Sequence, residues 1–227
     1  NDLIDAGYGA DSIRLSIAFL APYDMTTPWN PEGVAGTYRF LARIWTLVQE
    51  LEEASTDTKL GTNSKVDTAL AMSVHKAIKK VSHDLHGMAF NTAIAALMEC
   101  VNELYKMKAE YGYARGAAWQ QNLSMLVQLV APFAPHIAEE LWQQLGNDGS
   151  VHVAAWPEHE EQYLVQHTMV IVVQVNGKVR GEIEVEHDAP QAVIEQEARI
   201  HQNVASHIKN DPHKVIYVPK KLINFVV

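Results

Sequence analysis

Residues 173–181 read V-Q-V-N-G-K-V-R-G, a run in which valine alternates with polar residues around an Asn-Gly pair. Alternation at every second position is typical of a half-buried β-strand, and an Asn-Gly pair at its centre predicts a hairpin. Before about residue 150 the apolar residues recur at helical spacing instead. This stretch therefore belongs to a second architecture and decides the fold class.

The loop length of this hairpin decides which side chains face one another. A two-residue turn would pair Val173 with Arg180, and apolar side chains of the first strand would face charges on the second. A three-residue turn at 175–177 pairs Val173 with Val179 and gives one apolar and one polar face. The pattern therefore predicts the three-residue turn, with Gly177 in the left-handed region as a bulge.

The same register predicts where the charges of the hairpin lie. It pairs Ile171 with Gly181 and Met169 with Ile183, and it puts four charged residues on one solvent face: Lys178, Arg180, Glu182 and Glu184. Cations held on a short stiff hairpin are suited to contacts with backbone phosphates. A purely solubilising role remains open for each of them. The other cations considered in this tail are Arg199, Lys214, Lys220 and Lys221.

The remaining periods predict a mainly α protein, an antiparallel helical bundle followed by a small α+β unit of ββαββ order. Predicted helices cover about 2–20, 32–54, 64–86, 89–111, 115–131 and Pro135 to about Leu145, with a further one near 190–208 that begins at Asp188 and Pro190. The predicted parts are a leading segment 1–34, the bundle 35–160 and the α+β unit 167–227. Polar residues predict a connector at 55–64 and a linker at 158–166, and V-H-V-A-A-W-P at 151–157 is strand-like.

Composition limits the function classes. The net charge is −9, but residues 1–166 carry 11 Lys and Arg against 20 Asp and Glu, whereas residues 167–227 carry 7 of each. Any polyanion contact is therefore expected to be local. The apolar runs are too short to cross a membrane, and the single cysteine, Cys100, is predicted to be a buried, inert thiol. Because the chain starts with Asn1 in an already patterned region, we expect part of a longer protein.

The sequence contains no hydrolase G-x-S-x-G, no P-loop and no H-E-x-x-H motif, and its histidines follow no metal-ligand spacing. Asp84 borders an apolar helical stripe and is predicted to serve helix packing or capping. On the opposite side of that helix lies a stripe of cations and histidines: Lys76, Lys79, His83 and His86. At 100° per residue they fall within about 80° of one another. They form either a solvated face or a phosphate-facing one.

Five motifs resemble one enzyme family. A-P-F-A-P-H-I-A-E-E-L-W (131–142) and F-N-T-A-I-A-A-L-M-E (90–99) are similar to the anticodon-binding bundle of class I aminoacyl-tRNA synthetases. Y-G-A-D-S-I-R-L (8–15) resembles the helix that follows their Lys-Met-Ser-Lys-Ser loop. F-L-A-R-I-W (40–45) and the opening stretch, 173–181, narrow the resemblance to the bacterial-type leucyl-tRNA synthetase family. It covers essentially the whole chain.

The resemblance implies a C-terminal portion that binds leucine tRNA, with the segment 1–34 leading from the catalytic core into the bundle. The family's two ATP-site signatures are missing here, so we expect no cofactor in this chain, which should be inactive alone. The parent enzyme would use ATP and Mg²⁺ and would be cytoplasmic and monomeric. The residues expected to contact tRNA are Lys178, Arg180, Lys220, Lys221, Arg199, Lys76, Lys79, Arg39 and Arg43. Alternatives are an acidic protein-interaction module, or the same region of a valyl or isoleucyl enzyme.

Overall fold

The computed structural model describes residues 2–54, 64–113, 116–164, 168–187, 189–208 and 212–227. The chain divides into two compact units, Asn1–Leu164 and Val165–Val227. The predicted connector at 55–64, apart from its last residue, and the predicted helix-capping Asp188 lie outside the described residues.

The first unit is helical. Its elements are α1 Asp2–Asp5, α2 Ala10–Leu20, α3 Gly33–Ala54, α4 Ser64–His86, α5 Phe90–Tyr111, α6 Gly116–Val130, α7 Pro135–Gln144 and a 3-10 helix at Glu161–Tyr163. The single helix predicted over 2–20 is wrong, because Gly7 takes a φ of 87° that ends α1, and α2 starts after Gly9. Pro135 opens α7 as predicted, at a position where its missing N–H costs nothing.

Apolar stripes on the long helices meet in one core. The stripe of α4 is fully buried at Leu70, Val74 and Ile78, opposite α5 and α6. Burial of each such side chain contributes roughly 1.5–3 kcal/mol to the stability of the folded protein. Cys100 on α5 is buried as predicted, and burial raises the pKa of its thiol to about 12. Asp84 is buried too, and the helix-packing role predicted for it is described below.

Two predictions for residues 151–164 are wrong, and residues 165 and 166 of the predicted linker lie outside the described ones. Residues 151–157 form turns and irregular structure, because the carboxylate of Glu139 accepts hydrogen bonds from Ser150 Oγ at 2.8 Å and from the backbone N–H of Val151 at 3.0 Å. The predicted linker that follows is not free, because the chain is attached to the bundle as far as Leu164. Residues 155–164, called the strap below, are held against the bundle, starting with a hydrogen bond from Gln128 Nε2 to the carbonyl of Ala155.

The second unit is a four-stranded mixed sheet covered by two short helices. Its elements are β1 Thr168–Val175, β2 Lys178–Glu186, α8 Gln191–Ile200, α9 Gln202–Ala205, β3 Lys214–Val218 and β4 Leu222–Val226. The strand order is β2-β1-β4-β3, with β1 parallel to β4 and the other pairs antiparallel. This confirms the fold class. The single helix predicted near 190–208 is wrong, since it breaks at His201 and starts after Pro190.

The hairpin of β1 and β2 departs from the predicted turn. Asn176 and Gly177 have φ of 50° and 75°, so they form a two-residue type I′ turn, and Val175 pairs with Lys178. The predicted three-residue turn is wrong, although the positive φ at Gly177 is confirmed. Asn tolerates the left-handed region better than other non-glycine residues, which permits this turn.

A bulge reconciles the tight turn with the apolar pattern. Val173 pairs with Gly181, whereas the next residue of β1 pairs with Val179, so Arg180 is an extra residue on β2. Beyond it, Ile171 pairs with Ile183 rather than with Gly181 as predicted. Apolar side chains do face apolar ones, but the pairs are shifted by two residues.

Candidate nucleic-acid interface

The bulge separates the hairpin cations from the hairpin carboxylates. Lys178 pairs with the buried Val175 and so lies at the end of the core-facing side of the sheet. Glu182 and Glu184 pair with residues of β1 on the opposite side, which is exposed. The predicted common solvent face is therefore wrong. A phosphate that approaches Lys178 meets less repulsion than that prediction implied.

Arg180 lies in the bulge, half-buried, and its Nε is buried without a hydrogen-bond partner in the described residues. The next residue, Gly181, touches the break between α8 and α9. A Cβ at position 181 would lie 2.6 Å from Cε1 and 2.8 Å from Nδ1 of His201. Any side chain at position 181 would force that imidazole to move, so the glycine that follows Arg180 permits this close packing.

The hairpin tip is fixed by β4. The backbone N–H of Gly177 donates to Oδ1 of Asn224 at 3.0 Å, and the backbone N–H of Val227 donates to Oδ1 of Asn176 at 3.1 Å. The N–H of Asn176 also donates to the carbonyl of Phe225 at 2.8 Å. Lys178 thus follows a turn held at both of its central residues, which limits its backbone freedom.

The other tail cations do not gather at this tip. Lys220 and Lys221 are exposed at the turn that precedes β4, whereas the hairpin tip lies beside the end of β4. Nζ of Lys220 lies 3.1 Å from Nε2 of His187. Arg199 contacts the carboxylate of Glu195 at 2.9 Å and lies over a buried phenylalanine ring, so its guanidinium is engaged in packing.

In the first unit, the stripe on α4 faces solvent as predicted. Its four members are exposed: Lys76, Lys79, His83 and His86. They line a groove of about 830 Å³ between α4, the first turns of α5 and the strap. Asp84 supports this helix from inside, because its buried carboxylate accepts hydrogen bonds from Lys80 Nζ at 2.7 Å and Thr92 Oγ1 at 2.6 Å. Burial opposes ionisation, but these hydrogen bonds outweigh it and lower the pKa of Asp84.

The strap is anchored on α4 by a buried histidine. Nδ1 of His75 accepts a hydrogen bond from the backbone N–H of Glu160 at 3.0 Å, and its ring packs 4.6 Å from that of Tyr163. Burial lowers the pKa of His75, which keeps Nδ1 available as an acceptor. Two turns further along α4, Trp156 Nε1 donates to Ser82 Oγ at 2.8 Å.

The two arginines predicted on α3 differ in their surroundings. Arg39 is exposed to solvent. Arg43 donates to Oδ1 of Asn102 at 2.8 Å, and its guanidinium carbon lies 4.4 Å from the ring centroid of Tyr105. Arg43 therefore joins α3 to α5, and its guanidinium is less available to a ligand than that of Arg39.

Within the described ranges, no group of three or more His, Cys, Asp or Glu side chains could hold a metal ion. No described helix combines the length and the apolar character that a membrane span requires.

Comparison with known proteins assigns the fold. Residues 67–196, more than half of the chain, match the family of anticodon-binding domains of tRNA ligases. The chain belongs to this family. It is 41% identical, over its whole length, to a leucine–tRNA ligase of Herpetosiphon aurantiacus and covers 27% of that protein. It also resembles the LeuRS of Agrobacterium radiobacter K84 in the crystal structure of a ternary complex with tRNA and LeuAMS, with a TM-score of 0.67 and 28% identity.

That structural match covers 99% of this chain and 29% of the other. The chain thus spans between a quarter and a third of the length of the relatives it matches. The resemblance to the leucyl-tRNA synthetase family is confirmed. Sequence reasoning missed the anchor of the strap at His75 and the contact of Gly181 with His201. A glycine within a strand, Gly181, was a signal for the second contact. The lone histidine on α4 gave no signal for the first.

Proposed function

We propose that this chain is the tRNA-binding portion of a leucine–tRNA ligase, which holds leucine tRNA for aminoacylation by a catalytic portion outside this chain. That catalytic portion uses ATP and Mg²⁺, and this chain is inactive by itself because the sequence has neither ATP-site signature. The observation that carries the proposal is the 41% identity to a leucine–tRNA ligase along the whole chain. The likeness to a LeuRS found with tRNA supports it.

The charges support local contacts rather than a general field. The chain is acidic as a whole, yet its cations are exposed at particular places: the stripe on α4, the hairpin residue Lys178 and the turn at Lys220 and Lys221. Each phosphate contact releases counterions, so the affinity should fall steeply as salt rises. The comparisons do not favour an acidic protein-interaction module, since both relatives named above are leucine–tRNA ligases.

The test is fluorescence anisotropy of a labelled leucine tRNA transcript at low salt. Lys178→Ala plus Arg180→Ala should weaken binding. It should also reduce the steepness of the fall of log affinity with log salt by about 1.5. Lys65→Ala plus Lys106→Ala removes the same charge from the bundle and is the control. No binding by the unaltered chain at low salt would refute the proposal. Equal binding of valine or isoleucine tRNA would refute the leucine assignment, and a protein partner that survives nuclease without a tRNA shift would favour the interaction module.

A further inference from the structure

The strap places a carboxylate among the cations of α4. Oε1 of Glu161 lies 3.3 Å from Nζ of Lys79 and 3.3 Å from Nε2 of His159. Two donors from different elements therefore converge on a single carboxylate oxygen. Lys79 and His159 also line the groove that contains the exposed stripe of α4.

We propose that Lys79 and His159 form an anion site that Glu161 occupies in the free protein and that a phosphate of bound RNA takes over. This inference rests on the proposed function and adds that Glu161 competes with RNA for this site. A carboxylate oxygen and a phosphate oxygen accept the same kind of charge-assisted hydrogen bond from an ammonium and an imidazole. Glu161 therefore marks the position at which a phosphate oxygen binds.

The exchange requires little structural change. The side chains of Lys79 and Glu161 are 54% and 74% exposed, and ion pairs so open to solvent contribute little to stability. The strap is held separately, by the backbone N–H of Glu160 on His75 and by the side chain of Trp156 on Ser82. Glu161 can thus leave by a rotamer change while the strap stays in place, and exposed rotamers interconvert quickly.

An RNA strand can make more contacts with this face of α4 than the carboxylate of Glu161 makes. Glu161 is ionised at neutral pH, because the hydrogen bond from Lys79 and the charge of that ammonium lower its pKa. It therefore screens Lys79 until it is displaced. Lys76 and His83 stand on the same exposed face of α4, and successive phosphates of an RNA strand can reach them, whereas one carboxylate cannot.

The test compares two substitutions in the strap that remove the same charge. Glu161→Gln should tighten binding of the leucine tRNA transcript about two- to five-fold at low salt, because an exposed competitor of modest strength is removed. Glu158→Gln, on an exposed side chain three positions earlier, is the matched control for general repulsion and should change the affinity less. In a Lys79→Ala background, the gain from Glu161→Gln should disappear.

Circular dichroism of each variant checks that the bundle is folded. Equal gains from Glu161→Gln and Glu158→Gln, or a gain that persists without Lys79, would overturn the anion site while leaving tRNA binding intact. Absence of tRNA binding by the unaltered chain would instead reject the proposed function. The two failures are therefore distinct.

Discussion

The carboxylate of Asp11 on α2 holds the first turn of α7 through His136. Its Oδ1 accepts a hydrogen bond from Nδ1 of His136 at 2.8 Å, and its Oδ2 accepts one from the backbone N–H of Ile137 at 2.8 Å. A carboxylate at a helix N-terminus satisfies an otherwise unpaired N–H and interacts favourably with the helix dipole. Asp11 belongs to the motif 8–15 and His136 to the motif 131–142, so two motifs that are far apart in the sequence form one contact.

Asp11→Ala should lower the free energy of unfolding of the first unit by about 1–2 kcal/mol, the usual value of an N-terminal helix cap. Urea denaturation followed by tryptophan fluorescence measures it, because all five tryptophans precede residue 157. Asp24→Ala, at an exposed carboxylate in the loop after α2, is the control and should change stability by less than about 0.5 kcal/mol. Equal effects of the two substitutions would show that the contact with α7 contributes nothing.

Gly181→Ala should destabilise the second unit by about 1–3 kcal/mol, because the new methyl group would overlap the imidazole of His201. Amide hydrogen exchange at Ile171 and Val185 is the suitable measurement, since the tryptophans report only on the first unit. In a His201→Ala background the same substitution should cost much less. A cost that is independent of residue 201 would mean that the backbone, and not the imidazole, requires glycine.

His75 should make the first unit less stable in acid. Its folded pKa is lower than the unfolded value of about 6.5, so the unfolded chain binds the proton more readily. The stability that this histidine contributes is complete above pH 6.5 and is lost as the pH falls below that value towards the folded pKa. Urea denaturation at several pH values between 7.5 and 5 should show that decline.

His75→Phe keeps a ring beside Tyr163 but removes the acceptor for the N–H of Glu160, and it should reduce the slope of stability against pH. It should also cost about 1 kcal/mol at neutral pH. His83→Gln removes an exposed histidine from the same helix and is the matched control. An undiminished slope in His75→Phe would assign the acid sensitivity to another group.

Substitutions of Arg43 and Arg39 should affect stability and tRNA binding in opposite orders. Arg43→Ala loses the hydrogen bond to Asn102 and the stacking on Tyr105, and should cost about 1–2 kcal/mol of unfolding free energy. Arg39→Ala removes the same charge from an exposed site and should leave stability within about 0.5 kcal/mol. Conversely, Arg39→Ala should weaken leucine tRNA binding more than Arg43→Ala in the anisotropy assay. The opposite order would place the RNA contact at Arg43.

The sequence predicted the parts of the fold that depend on periodicity. The stripe at Leu70, Val74 and Ile78 defined both the buried side of α4 and its exposed cations, because helical spacing alone determines which residues share a face. Alternation also predicted that apolar side chains of the hairpin face one another, but the predicted pairs were wrong, because the register is shifted by two residues. The turn was not predictable, since one bulged residue, Arg180, restores the parity that a two-residue turn appears to break.

Other features depend on contacts between distant residues, which no local pattern records. The composition of 158–162 is that of a solvated linker, yet the backbone hydrogen bond from Glu160 to His75 and the packing of Tyr163 hold it on α4. The short alternation at 151–157 likewise predicts a strand, but Glu139 captures its first N–H. Local propensity yields to tertiary contacts at both places.

The attachment of the hairpin tip to β4 has a consequence for the order of folding. The hydrogen bonds of Gly177 and Asn176 reach partners 47 and 51 residues further along the chain. A hairpin closes within microseconds, whereas pairing across such a separation must first overcome the entropy of closing the intervening loop. A peptide limited to β1 and β2 would therefore present Lys178 on an unanchored turn. The tip becomes rigid only once β4 has inserted between β1 and β3.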